Sequence, residues 1–424
     1  MSRSAVLIMF LCAGCLGAEE AATDDPALDQ DEIAGSALPE PSVWRVEPEP
    51  LSPDARRRQL EVDRYIRDEL YSGYQIVDTT QTFAGDVVDW VDPASVPGSQ
   101  IEPPPPISAD QLATPDGVEL QRTELDEHPE LRGPAGTIPI VRPDFAAYVS
   151  GTSGDLSLAE HLARKQPGAW GVYRYFAGWR QTVQNTGVDA FINQSINQVE
   201  AGTFSVMEEL TQCDGPTPST TIELVGAAVS KDLANFSDSV LRLRVEFLTA
   251  GYAQGNNVGG WDGTVVGFIP AAGRPYGPNA AVTPSTPGGT QRESHFRIEN
   301  YYGNWWISHN GNWLGYYPGY LFDLMHYQGC TTRWYGEVYD PTPQSWTWAD
   351  MGSGYYPSVG YKWAATFRNP FYMVGANAYW PGAVSEVLPK NDACYTKSSI
   401  TTSASPWDRY FYLGGPGSPA LGCN

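Results

Sequence analysis

The chain has 424 residues, 42% of them hydrophobic, enough to fill a sizeable core, so at least part of it is globular. A formal net charge of −23 excludes a nucleic-acid partner, because neutralising phosphates takes a basic stripe that this chain lacks. Gly (43), Pro (35), Tyr (24) and Trp (14), with only 18% charged residues, favour turn-rich β structure over helices.

The N-terminus carries one early positive charge, Arg3, an apolar run from Ala5 to Gly14 and then acidic residues. This reads as an export signal over residues 1–18, too short to span a bilayer as a helix. The run ends Leu11-Cys12-Ala13-Gly14-Cys15 and resembles a bacterial lipobox, in which the cysteine after Ala-Gly is lipidated and becomes the new N-terminus. Cys12 stands where that motif usually has leucine, so two outcomes stay open: a lipid anchor on Cys15, or free secretion. Either one predicts an extracellular or cell-surface protein that meets a membrane only through such an anchor. Four cysteines then remain, Cys213, Cys330, Cys394 and Cys423, an even number that in an exported chain predicts two disulfides with three pairings open.

Residues 19–143 read as an acidic, Pro-rich linker and prosegment. Up to residue 143 the chain carries 27 Asp plus Glu against 10 Arg, a balance of −17, whereas residues 144–424 carry 22 against 16, a balance of −6. The run IEPPPPIS at 101–108 and the acidic clusters give this leader tether composition, with little apolar periodicity. One helix is predicted inside it, in SPDARRRQLEVDRYIRDELYSGY: Ser52 caps it, Leu60, Val62, Tyr65, Ile66 and Leu70 form its stripe, and Gly73 ends it. A short folded unit is therefore expected within the leader.

From about Tyr148 the chain alternates short β-like runs with Gly, Pro and Asn punctuation: VYRYFAG, INQVEAGTFSV, TTIELVGAAV, LRLRVEFLTAGY, TVVGFIP, HFRIENYY, NWWISHNG, TRWYGEVYD and KWAATFRN. Many short strands at close spacing predict an all-β fold, an antiparallel β-sandwich of two packed sheets, behind a largely disordered or partly helical leader.

Several chemistries have no visible site. The five histidines form no HExxH pair, and there is no GxSxG elbow, thiol-protease signature or phosphate-binding glycine loop. Acid–base work then falls to carboxylates. In INQSINQVEAGTFSV, strand alternation puts Gln194, Ile196, Gln198 and Glu200 on one face, so Glu200 would stand among amides. In TTRWYGEVYD the same rule aligns Arg333, Tyr335, Glu337 and Tyr339, and Gly336 leaves room for a close ligand or strand. Neither glutamate has a lysine or arginine next to it, and a half-buried carboxyl in an uncharged setting is held protonated toward neutrality. Taken singly, each fits a solvated strand residue better than a catalytic one.

GNWWISHNGNWLGYYPGYLF at 303–322, YGEVYD, and ADMGSGYYPSVGYKWAATFRN at 349–369 resemble, in order, signature blocks of the neprosin family of secreted glutamic peptidases. VEAGTF at 199–204 resembles the family's other glutamate block, and CYTKSSITTSASPWDRYFYLGGPGSPALGC at 394–423 its C-terminal block. GPAGTIPIVRP at 133–143 resembles a motif just before the peptidase domain, with Gly133 where the family carries cysteine. The resemblance implies a peptidase domain over 144–424, a β-sandwich whose concave face carries two catalytic glutamates. These map onto Glu200 and Glu337. It also implies cleavage after proline at acid pH, substrates that are proline-containing peptides or proteins, and no metal or cofactor.

With the resemblance in hand, Cys394 pairs with Cys423. Cys213 and Cys330 fall at the same end of the sheet if the Glu200 and Glu337 strands run antiparallel, which makes them the second pair. Two carboxyls in one cleft share a proton, so one removes a proton from water while the other protonates the leaving amine. Gln198 and Tyr335 are candidate donors to the oxyanion, and Trp305 and Trp306, with Tyr316 or Tyr317, candidate walls for a proline ring. The competing expectation is a carbohydrate-active or carbohydrate-binding β-sandwich, since aromatic platforms with paired carboxylates also serve sugars.

Overall fold

The structure is a computed structural model and describes residues 38–39, 41, 51–151, 156–164, 174–195, 198–217, 221–233, 236, 238–261, 263–340, 349–388 and 391–417. The export signal, Cys15 and Cys423 lie outside the described residues.

The predicted leader helix is present. Ser52 caps α1 (Pro53–Tyr65) by accepting from the Ala55 amide at 3.2 Å, and the helix runs on through a π-helical stretch, Ile66–Leu70. Gly73, at φ +81°, turns the chain out of the helix and toward the first strand. Here the tether expectation needs correction, because the leader goes on to form β1 (Ile76–Gln81), β2 (Val87–Val91), β3 (Val118–Leu120) and β4 (Ile138–Val141), and β1, β2 and β4 make a three-stranded antiparallel sheet. Val62, Ile66, Tyr71, Phe145 and Tyr148 bury one another in a cluster of their own. The apolar residues of this unit come from several short elements, so no single stretch is long enough to show a period. Gly133 sits against Trp90, where an added Cβ would come within 2.3 Å of the indole. Tryptophan thus fills the space that a side chain at the family's cysteine position would need.

Among the described residues, seventeen further strands come after these. The first six are β5 (Arg174–Asn185), β6 (Gly187–Asn193), β7 (Phe204–Asp214), β8 (Ile222–Asp232), β9 (Arg242–Leu248) and β10 (Gly259–Trp261). Next come β11 (Ile269–Pro270), β12 (Gln291–Tyr301), β13 (Asn304–His309), β14 (Asn312–Tyr317), β15 (Gly329–Tyr339) and β16 (Ala365–Val374). The last are β17 (Asn377–Tyr379), β18 (Ser385–Glu386), β19 (Thr396–Lys397), β20 (Thr401–Thr402) and β21 (Arg409–Gly414). One sheet has seven strands in the order β10-β9-β8-β7-β15-β5-β18, all antiparallel. The other has 11 strands, built on β11-β14-β13-β12-β6-β16-β21-β19.

The two sheets pack face to face. Met207, Val225, Val245, Trp334 and Val338 from the first meet Val188, Ile192, Phe296, Phe367 and Phe411 from the second in one buried core. The leader belongs to this core as well, through Val88, Trp90, Leu125, Leu131 and Val141. Polar stitches reinforce the joint. Arg242 donates to Asp86 at 2.6 Å, and Arg274 donates to the carbonyls of Pro139 and Leu314. β3 pairs in parallel with the start of β12, extending the larger sheet.

Candidate active site

Strand parity on β15 is as predicted. Trp334 and Val338 face the core, and Gly336 approaches Leu413 and Met351 so closely that a Cβ would come within 2.8 Å of Leu413. Arg333, Tyr335 and Glu337 face away, onto the outer side of the seven-stranded sheet, where they line a cavity with Arg174, Leu210, Glu246, Tyr252 and Trp261. A second recess, lined by Phe204, Ser230, Asp232 and Arg244, shares Arg174 and Trp261 with the first, so the two form one groove across the strands.

Glu337 is only 3% exposed and does have a charged partner, which corrects the uncharged setting expected for it. Arg174 forms an ion pair with it from the adjacent strand, where Glu337 pairs with Phe176 and Tyr339 with Arg174. Arg174 also lies over the rings of Phe204 and Tyr339, 5.4 and 5.5 Å from their centroids. Burial pushes the Glu337 carboxyl above the ordinary glutamate range, and the guanidiniums of Arg174 and Arg333 pull it part of the way back.

Two further glutamates stand beside it. Glu208, in register with Tyr335 across β7 and β15, is fully buried and accepts a hydrogen bond from the Tyr335 hydroxyl. Glu246 on β9 lines the cavity, and its carboxyl meets that of Glu208. Burial first, then Glu246, raises Glu208 well above the ordinary range. Sequence reading passed over both, although Gly226 on the intervening strand is a signal: its missing side chain leaves the space in which the two carboxyls meet.

Glu200 is placed differently from its strand expectation. Residues 200–203 form a tight turn in which the Thr203 amide donates to the Glu200 carbonyl at 2.9 Å, with Gly202 at φ +85°, and β7 begins only at Phe204. Glu200 is exposed, on the loop that enters β7 at the end where Phe204 stacks on Tyr339 and Arg174 lies over both. It is not among the residues lining the Glu337 cavity. Gln198, expected as an oxyanion donor, is also exposed on that loop, its backbone N–H donating to the Asp350 carboxylate at 3.0 Å, whereas Tyr335 does line the cavity.

Trp305 and Trp306 are corrected to core residues. Both are fully buried, Trp305 in the inter-sheet core with its indole N–H donating to the Met325 carbonyl at 2.7 Å, and Trp306 against Trp313 and Tyr316 on the other face of β13. Tyr316 and Tyr317 are buried too, so none of the four offers a wall to a substrate. The aromatic side chains that do line the groove are Phe204, Tyr252, Trp261 and Tyr335.

Cys213 and Cys330 form the expected disulfide between β7 and β15, Cα to Cα 4.8 Å. Cys394 is disulfide-bonded, and its expected partner Cys423 falls outside the described residues.

Among solved structures the chain is similar to scytalido-glutamic peptidase with a peptide-based transition-state analogue, at 9% identity and a TM-score of 0.31, over 58% of this chain and 99% of that one. A second structure of scytalido-glutamic peptidase, with a transition-state analogue inhibitor, gives 9% and 0.30 over 57% and 98%. SCP-B, a member of the eqolisin family in complex with the tripeptide Ala-Ile-His, gives 9% and 0.29 over 57% and 98%. Likeness at that level carries no weight for this chain. A sequence model of the neprosin family, in contrast, matches residues 202–416, which is 215 of the 424 residues. That span takes in β7 to β21, the Cys213–Cys330 disulfide and Glu337, and so the chain belongs to the neprosin family and is a glutamic peptidase.

Proposed function

We propose that the protein is an exported endopeptidase that cleaves on the carboxyl side of proline at acid pH, with Glu337 and Glu200 as its catalytic pair. The observation that carries this is Glu337 itself, a nearly inaccessible carboxyl in a groove, paired with Arg174 and raised by burial. Arg174 opposes that rise and steadies the ionised form of Glu337, the form that takes a proton from the attacking water. Glu200, on the turn that precedes Phe204, is the second carboxyl of this proposal and returns a proton to the leaving amine. Each cycle consumes one water, and the proton taken by one carboxyl is matched by the proton given by the other.

Tyr252 and Trp261 are the apolar surfaces available to a proline ring in the groove. The leader, residues 19–143, acts as the prosegment, and the chain leaves the cell free or anchored through Cys15. Incubating a proline-rich protein with wild type, Glu337→Gln and Glu200→Gln at acid pH, and reading the products by mass spectrometry, tests the proposal. New C-termini at proline with wild type alone are expected. Undiminished cleavage by both variants would remove the pair, and wild-type cleavage at other residues would remove the proline preference.

A further inference from the structure

We propose that Glu208 and Glu246 form a proton-sharing carboxyl pair that fixes Tyr335 beside Glu337, which makes the three of them positioning residues for the peptidase reaction. The inference rests on the reading of Glu337 as the reacting carboxylate, and it assigns work to side chains that this reading leaves idle.

The geometry begins at Gly226. Glu208 is on β7 and Glu246 on β9, with β8 between them, and Gly226 of β8 is in register with Glu246 and Leu210. A Cβ at Gly226 would lie 2.2 Å from Glu208 Oε1 and 2.9 Å from Glu246 Cγ. Two acidic side chains therefore reach toward each other across a strand at the one residue without a side chain. Both side chains reach the same space, Glu208 through Oε1, and two buried carboxyls held this close share a proton rather than both ionise. On its other oxygen Glu208 accepts from the Tyr335 hydroxyl, which completes the chain Glu246, Glu208, Tyr335. Tyr335 is further held edge-on by Phe176, ring centroids 5.5 Å apart. Two residues further along the same face of β15 comes Glu337. Cross-strand diagonal neighbours such as Glu208 and Glu337 are roughly 7–8 Å apart at Cα.

The surroundings favour keeping that proton. From β15 the pair faces Glu337 and Arg333, from β5 Arg174, and from β10 the uncharged Trp261. On β9 itself the neighbouring Arg244 is engaged with Asp232 of β8 at 2.7 Å. Arg174 is already ion-paired to Glu337, so its guanidinium is not free to stabilise a second carboxylate. Removing the shared proton would set two facing carboxylates against each other and against Glu337, and Tyr335 would lose its fixed acceptor. The pair therefore ties the groove's working geometry to acid conditions, independently of how Glu337 itself titrates.

The test compares pH profiles of kcat and KM for the full chain carrying Glu246→Gln or Glu246→Ala. A glutamine amide donates to Glu208 at every pH, so the alkaline limb of kcat should move up by about one pH unit, with KM little changed. Alanine, which leaves Glu208 without that donor, should lower kcat about tenfold or more at every pH. A Glu246→Gln profile that superimposes on wild type, or one matching Glu246→Ala throughout, would overturn the pair. Infrared difference spectra on acid-to-neutral titration give a readout that needs no activity. A protonated-carboxyl band lost in Glu246→Gln supports the pair even if wild type cleaves nothing, in which case the peptidase reading alone fails. An unchanged band overturns the pair whatever the activity.

Discussion

Glu208 and Glu209 are consecutive on β7, are both fully buried, and point to opposite faces of the sheet. On the groove side Glu208 is joined to Tyr335 and Glu246, and through the cavity to Glu337 and Arg174. On the interior side Glu209 stands in register with Trp334, near the charges of Asp189 and Arg297, and neither of its oxygens has a hydrogen-bond partner among the described residues. Burial raises both carboxyls well above the usual range. The difference lies in what each proton can do. In the groove it sits in a network that opens onto a cavity, whereas in the interior it only offsets the cost of an isolated buried charge.

Substitutions on β15 separate the two faces. Glu337→Gln should lower kcat per folded molecule by about a hundredfold to ten-thousandfold, the usual worth of a positioned acid or base, and also lower the thermal midpoint because buried Arg174 loses its partner. Trp334→Ala, on the opposite face of the same strand, should cost about 3–5 kcal/mol in urea unfolding while activity per folded molecule is kept. Comparable activity losses from both would mean that the faces are not independent.

The disulfide between Cys213 and Cys330 ties β7 to β15 against the inter-sheet core, across a sequence separation of 117. Replacing both cysteines by serine should cost roughly 5 kcal/mol in the chain-entropy model, measured as a shift in the urea midpoint, without changing the shape of the activity profile.

A smaller effect concerns pH. Glu208, Glu209 and Glu337 all have folded-state values raised above the unfolded one, so their contribution to stability is complete below the ordinary glutamate range and is lost as pH rises through the raised values. Asp189 runs the other way. Although burial opposes it, His295 and Arg297 bring its value below the usual aspartate range, and its contribution is lost only in stronger acid. The thermal midpoint should therefore rise as pH falls from about 8 toward about 5, then decline. Glu209→Gln should flatten that slope and add about 1–3 kcal/mol at neutral pH. A steeper slope in that variant would contradict the assignment.

The sandwich, the parity of β15 and the Ser52 cap were legible because each rests on residues close in sequence: alternation, a capping side chain, turn punctuation. Glu337 could be singled out for the same reason. Arg174 could not, being 163 positions away and brought in by the β5–β15 pairing. Glu208 and Glu246 were passed over because in FSVMEELTQC and LRVEFL they look like solvated strand charges, and only the alignment of three strands over Gly226 shows otherwise. At Glu200 alternation was carried too far, through Ala201 and Gly202, where a positive φ breaks the strand. The tryptophans at 305 and 306 show the reverse error: aromatic pairs advertise binding and core alike, and burial alone separates them.

The short parallel ladder between β3 and β12 bears on what a processed form would be like. β13 pairs with β12 only from Phe296 onward, and residues 118–120 of the leader occupy the same side of β12 at Gln291, Arg292 and Glu293. Cutting the chain near residue 143 and letting the leader diffuse away would turn that covered stretch into an open sheet edge, three residues of unmatched amides and carbonyls beside a newly bared core. A mature enzyme made that way would have its own adhesive strip, whereas one that keeps the cut leader clasped would remain monodisperse.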